Sequence, residues 1–223
     1  MKKPMIQKEY IKNAFHSKYI KVFDLNYLPD EGADRRAYYD ATRRDTSNLV
    51  ALMSENERKR MLPDAVSLVV VLKVKNDVDK LCLTYEYRYP VGEYLLSVPA
   101  GLIDDEDTVD CTVENAVFTA ARRELKEEMG IELEGCDTIE MLHPVLFSSP
   151  GMTDESNALV KVTLNRTENP DFCQEGALGG ECFDGIMLVT KEEAKEILET
   201  GRDQRGNFYS VYTALALYEF MKG

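Results

Sequence analysis

The stretch Arg123-Glu124-Leu125-Lys126-Glu127-Glu128-Met129-Gly130-Ile131 decides how the chain is read. It continues a breaker-free run, Ala116 to Arg122, that reads as helix. Residues three and four apart share a helix face, so Glu124, Glu127 and Glu128 crowd three carboxylates onto one side of one turn. Like charges at that spacing repel and destabilise an isolated helix. A hard divalent cation, which takes oxygen ligands, turns that cost into a site. Gly130 then ends the helix as its C′ residue, and Ile131 restarts an apolar segment. Alone, an acidic helix run is more often a solvated face. Two neighbours shift the balance: a glycine-containing approach about 20 residues upstream and an arginine directly before the first glutamate.

Working outward, 223 residues suit one large domain, or one domain with an appendage. An apolar fraction of 44% is enough for a real core. The net charge of −13 argues against nucleic acid as a partner. An anionic substrate would need local correction by metal ions or a few placed arginines. Five cysteines without a CxxC pair read as reduced, mostly structural thiols of an intracellular protein. The start, Met1 to Phe15, has charges but no apolar centre, so no secretory signal is expected, and no window is apolar enough for a membrane span. His16 and His143 are too few and too far apart for a zinc site.

Residues 18–25 and 36–43 read as two strands of a hairpin around Pro29-Asp30-Glu31-Gly32, and 48–52 as another short strand. The charged stretch 54–64 is the best linker, which divides the chain into an N-terminal β appendage (1–55) and a main domain (56–223). A sheet of about 50 residues is marginal alone, so the appendage is expected to pack on something, a second subunit included. In the main domain, 65–75 is a continuous β-branched run typical of a buried strand. Further strands are expected at 80–89, 93–101, 138–147, 157–164 and 183–189, and helices at 113–129, 191–201 and 208–223. The pattern is a mixed sheet with helices on both sides.

The stretch Pro99-Ala100-Gly101-Leu102-Ile103-Asp104, followed by Ala120 to Ile131, resembles the Nudix box, G-x5-E-x7-R-E-U-x-E-E-x-G-U with U apolar. Its second half matches at every specified position. Tyr85 to Asp104, the loop Ser149 to Glu155 and the segment Phe208 to Leu217 are similar to the ADP-ribose pyrophosphatase branch of that family. The resemblance implies a Nudix-type α/β/α sandwich with a mixed sheet, plus a small N-terminal antiparallel sheet. One departure stands out. The family separates the box glycine from the arginine by 13 residues; here 21 lie between Gly101 and Arg123, an insertion of eight. Counted forward, the family's middle glutamate falls on Asp107; counted back, it falls on Asn115, beside Glu114, which is taken as its substitute.

By resemblance, Glu124 and Glu128 are the primary metal ligands, Glu127 holds an additional ion and the Ala100 carbonyl adds an oxygen. Arg123 positions the glutamates by an ion pair. Glu155, on the SPGMTDE loop, and Glu181, before a strand, compete as general base, with Glu155 narrowly preferred for its loop pattern and Asp154 a weaker third choice. Arg88 stands where related enzymes bind phosphate, and an arginine fork suits phosphate oxygens. Arg44 is expected to act similarly from the N-terminal sheet. Tyr19 and Tyr39 stand where the branch stacks aromatics on adenine, worth roughly 1–3 kcal/mol per base. Mg²⁺ is the implied cofactor, with Mn²⁺ as the alternative.

These readings imply a cytoplasmic homodimer, independent of nucleic acid and membrane, that hydrolyses the pyrophosphate bond of ADP-ribose to AMP and ribose 5-phosphate. Two alternatives remain open. One is the same chemistry on another nucleoside diphosphate sugar, ADP-glucose or UDP-glucose. The other is a sensor that binds ADP-ribose without cleaving it, against which the intact glutamate set argues.

Overall fold

A computed structural model describes residues 3–109, 112–174 and 180–223. Asp110 and Cys111, within the inserted stretch, lie outside the described residues. The chain divides into two compact units, Met1–Asp64 with Val145–Asn157, and Ala65–Pro144 with Ala158–Gly223.

The first unit carries an antiparallel sheet of β1 (Lys12–His16), β2 (Lys21–Asp24) and β3 (Tyr39–Thr42) in that order. The hairpin is the one expected, though its strands are shorter. The extra edge strand β1 has no apolar alternation to announce it, because all five of its residues are exposed. Residues 48–52 are not a strand: Val50–Leu52 form a 3-10 turn with Leu49 fully buried. One side of that turn is covered, which a helical turn satisfies as well as a strand. The charged linker holds a one-turn helix, α1 (Glu55–Arg58), started by a reciprocal cap between Ser54 and Glu57. The apolar centre is small: Phe23, Leu25 and Leu49, ringed by Ile6, Ile11, Ala51 and Leu52.

What ties this unit's segments together is polar. The guanidinium of Arg44 lies 2.9 Å from Asp64 and 3.8 Å from Asp154, and donates to the Leu62 carbonyl at 3.2 Å. Asp154 accepts from the Val50 N–H at 3.2 Å, while its own N–H donates to Asp40 at 3.1 Å. Burial, and then the Asp154 charge, push the Asp40 carboxyl up to about 6.

In the second unit the strands are β4 (Ala65–Val74), β5 (Lys80–Arg88), β6 (Glu93–Ser97), β7 (Ala100–Leu102), β8 (Thr138–Phe147), β9 (Ser156–Arg166) and β10 (Phe183–Val189). The outer ends of β8 and β9 are counted with the first unit. Among the described residues they form one mixed sheet, in the order β10-β5-β4-β9-β8. The expected single strand over 93–101 is broken at Val98-Pro99. β6 pairs with β5 and β7 pairs with β4. Pro99 lacks an N–H for the ladder, and its carbonyl instead accepts from Leu68 N at 2.8 Å. The chain changes partner strand at the point where it cannot donate.

The helices are α2 (Val113–Met129), α3 (Lys191–Thr200) and α4 (Val211–Lys222). β4 is buried on both faces, which explains its unbroken apolar run. Val66, Leu68, Val70 and Leu72 share one face and one core with Val117, Ala120, Ala121, Leu125 and Met129 of α2. α4 lies against β4 and β6, and α3 against α4. Thr112 caps the start of α2 by accepting from Asn115 N. Gly130 ends it at φ 70°, donating to the Lys126 carbonyl at 2.9 Å.

The Asp40 shift makes a pH prediction for the first unit. Its folded value lies above the free value of 3.8, so the folded state holds the proton more tightly. The associated stability is full below 3.8 and is lost as pH rises through about 6. Asp40→Asn, which keeps an acceptor but cannot ionise, should therefore raise the melting temperature at pH 8, by up to ~3 kcal/mol of stability. Thermal denaturation across pH 5 to 8 should show the gain shrinking toward the acid end; a gain independent of pH would refute the ionisation account.

Candidate active site

On α2 the buried positions are Ala116, Val117, Ala120, Ala121, Glu124, Leu125, Glu128 and Met129. They form one continuous stripe of the kind that faces a core. Glu124 and Glu128 lie in that stripe, 5% and 2% exposed, whereas Glu127 sits at its edge. The helix therefore sends two carboxylates into the protein, and the third only borders them.

Three kinds of contact hold them. Arg123 Nη1 donates to Glu124 at 2.6 Å and to Glu127 at 3.2 Å. Its Nη2 donates to the Leu102 carbonyl at 2.7 Å and to Asp107 at 2.9 Å, with Asp104 at 3.5 Å. Glu128 Oε1 accepts from the Ala100 N–H at 3.2 Å. Gly101 comes closest of all. A Cβ there would sit 1.9 Å from Glu124 Oε1, so only glycine lets the carboxylate lie against this backbone.

Asp107, not Glu114, takes the middle position of the box. It is buried and paired with Arg123, while Glu114 is exposed in the first turn of α2. The forward count from Gly101 holds because the insert begins after the 3-10 turn Asp105–Thr108. That turn starts with a reciprocal Asp104–Asp107 cap, which aims the Asp107 carboxylate at Arg123.

The electrostatics of the cluster favour a cation. Burial pushes Glu124 up to about 7, opposed by Arg123 and reinforced by the charges of Glu127 and Glu181. Glu128 is raised well above the usual carboxylate range by burial, with Glu86, Glu124 and Glu181 adding to it. Glu86, also buried, is raised as well, though Arg88 offsets part of the shift from 2.5 Å away. Carboxylates from α2, β5 and the approach to β10 thus act on one another. Among the described residues no three acidic, histidine or cysteine side chains converge as a finished metal cage, since Arg123 and the Ala100 N–H hold Glu124, Glu127 and Glu128. The donor set still fits a hard divalent ion. Glu128 Oε2 is fully buried without a hydrogen-bond partner, an oxygen acceptor of the kind such an ion takes.

The other expected residues divide between the units. Arg88, at the end of β5, and Glu181 belong to the second unit with the cluster, and Glu181's charge raises Glu86, Glu124 and Glu128. Arg44, Tyr19, Tyr39 and Glu155 belong to the first. Arg44 is not an available phosphate fork; it is spent on Asp64, Asp154 and the Leu62 carbonyl. Its sequence neighbourhood gave no sign of this, because Asp64 and Asp154 are distant in the chain. Tyr19 is 71% exposed, with Lys18 over its ring. Glu155 follows a turn in which its N–H donates to Thr153 Oγ1 at 3.0 Å.

Tyr39 lines a cavity of about 200 Å³ within the first unit, with Tyr38, Phe147 and Met152 as apolar walls and Asp40 and Asp154 as its acidic part. Asp154 Oδ1 is buried there without a hydrogen-bond partner. Asp40 was missed as a site residue, and Asp154 was expected only as a weaker third choice of general base. Asp40 looked like a strand residue, and the available signal was its position directly after Tyr39.

No family model matches the chain. It is 28% identical over 202 residues to a Saccharomyces cerevisiae protein named ADP-ribose pyrophosphatase, covering 88% of this chain and 77% of that one. Over 148 residues it is 32% identical to a Mus musculus protein named ADP-sugar pyrophosphatase, covering 66% of this chain but only 62% of the relative. Among solved structures, one described as an ADP compounds hydrolase superposes with a TM-score of 0.61 over 100% of this chain and 96% of that one, at 21% identity, which speaks for the fold. In sequence the chain is thus similar to proteins named ADP-ribose and ADP-sugar pyrophosphatase, and in fold to an ADP compounds hydrolase, which together with the carboxylate stripe beneath Gly101 supports a Nudix protein of the ADP-ribose pyrophosphatase-like kind.

Proposed function

We propose that this chain is a divalent-metal-dependent pyrophosphatase that hydrolyses ADP-ribose to AMP and ribose 5-phosphate. The observation that carries the reading is the buried Glu124–Glu128 pair, one oxygen of which has no hydrogen-bond partner. The yeast and mouse relatives, named for ADP-ribose and ADP-sugars, support the substrate class.

Glu124 and Glu128 would hold Mg²⁺, or Mn²⁺ in its place, with Glu127 and the Ala100 carbonyl contributing further oxygens. When bound, the ion neutralises pyrophosphate charge and lowers the pKa of a water. The side chains do the rest. Arg123 fixes the carboxylates of Glu124 and Glu127 and ties them to the end of β7. Arg88, half exposed and paired with Glu86, offers its fork to a phosphate oxygen. Glu181 takes the proton of the attacking water, since its charge already acts on Glu86, Glu124 and Glu128; Glu155 is the alternative, on the strength of its loop pattern. The base binds in the first unit, with Tyr39 giving a stacking face and Tyr19 a second. Asp40 and Asp154 accept from an exocyclic amine, which adenine has and uracil lacks. The exposed edge strand β1, with Phe15 and the neighbouring Tyr19 and Ile20 also exposed, suits pairing with a second copy. The location proposed is the cytoplasm, with no role for nucleic acid or membrane; among the described residues no helix is long and apolar enough to cross a membrane.

Incubation of the purified protein with ADP-ribose and Mg²⁺ should release AMP and ribose 5-phosphate; tight binding without AMP would favour the sensor. Glu128→Gln should lower turnover by roughly 10²-fold or more while the melting temperature stays near wild type. Gly101→Ala should do the same by displacing Glu124, and a fully active variant would refute the close approach. In a panel of ADP-ribose, ADP-glucose and UDP-glucose, the ADP compounds should lead by roughly 10–100-fold in kcat/KM, because uracil leaves the aspartate acceptors unpaired.

A further inference from the structure

We propose that Tyr87, Tyr89 and Tyr94 form a clamp that positions Glu181 for proton removal. This rests on the assignment of Glu181 as the base. Glu181 lies two residues before β10, where the chain must hold one carboxylate in place. Its two neighbours are both tied down: Cys182 to β5 and β6, and Gly180 to Tyr89, just past the end of β5. The Tyr89 hydroxyl donates to the Gly180 carbonyl at 3.1 Å. The Tyr87 N–H donates to the Cys182 carbonyl at 2.8 Å. The Tyr94 hydroxyl and Cys182 Sγ lie 3.0 Å apart.

The three rings also hold one another. Tyr87 and Tyr94 are direct cross-strand partners between β5 and β6. Their ring centroids are 5.2 Å apart, and those of Tyr87 and Tyr89 are 5.1 Å apart, both edge-to-face. The clamp residues are thus fixed by packing as well as by hydrogen bonds.

Strand alternation explains how a clamp can act without entering the site. β10 joins β5 with Phe183 opposite Glu86. Continued outward, that register sets Cys182 opposite Tyr87 and Glu181 opposite Arg88. Successive residues face opposite sides of a sheet. Tyr87, Tyr89, Tyr94 and Cys182 therefore share one face, and Glu86, Arg88 and Glu181 share the other. The tyrosines grip the backbone from behind while the carboxylate points toward the acidic cluster. Gly185, at φ 92°, lies in the register irregularity between Phe183 and Ile186, so the β10 ladder alone does not transmit a fixed position to Glu181.

The test uses Tyr89→Phe and Tyr94→Phe, singly and together, which keep the rings but remove the hydroxyls. Each is made with Glu181 present and in a Glu181→Gln background. Turnover of ADP-ribose with Mg²⁺ and thermal melting are measured for all. The double variant should lower kcat about tenfold with Glu181 present, with KM changed by less than about twofold and the melting temperature by less than about 2 °C. In the Glu181→Gln background the same pair should cost nothing further, because residues acting through one group are not additive. No loss with Glu181 present, or an equal loss in both backgrounds, overturns the clamp. Glu181→Gln at the wild-type rate would instead reject Glu181 as the base, and the clamp's role with it; the single variant's rate tells the two failures apart.

Discussion

The site depends on one guanidinium. Arg123 reaches two carboxylates of its own helix, a third from the 3-10 turn before it and a carbonyl at the end of β7. Without that charge, Glu124 and Glu127 would repel across one helical turn. With it, Glu124 is held against the backbone of Gly101, in a place no side chain at that position would allow. An arginine fork is suited to this role because its donors lie in one plane and it stays charged when partly buried. The same contacts tie α2 to β7, so the geometry of the carboxylates and the local packing are one arrangement.

The two faces of β5 divide a similar labour. Glu86 and Arg88 look toward the acidic cluster, while Tyr85, Tyr87 and Tyr89 look away from it. One strand thereby brings charge to the acidic cluster and aromatic packing to the opposite face. Tyr85 is covered by the Arg205 guanidinium 3.5 Å from its ring, so the supporting face is itself held in place.

The first unit is organised differently. Its apolar centre is slight, and a polar group of buried Asp40 with half-buried Arg44, Asp64 and Asp154 joins segments far apart in the chain. Such groups are costly to break singly, since a remaining charge is left without its partner. Here they also shape the cavity beside Tyr39, where two acceptors lie against aromatic walls. The aspartates that pair within the unit are also the ones that line its cavity.

The α2 helix, its cap at Gly130 and the buried strand β4 were all legible in the sequence, because each is a local pattern: periodicity, a glycine after the last turn, an unbroken β-branched run. So was the carboxylate set, which is fixed by spacing on one helix. What spacing could not give was the partner of each group. Asp107 rather than Glu114 braces Arg123, since only the fold of the 105–108 turn decides which acid faces inward. Arg44 looked like a phosphate fork and proved to be spent on two distant aspartates. Strand β6 parted from β7 because Pro99 has no N–H to give the ladder, and Tyr89 and Tyr94 met the Glu181 segment across some 90 residues of chain. Local rules set which elements form and which charges they carry; long-range contacts decide which of those charges are buried, paired or left to act.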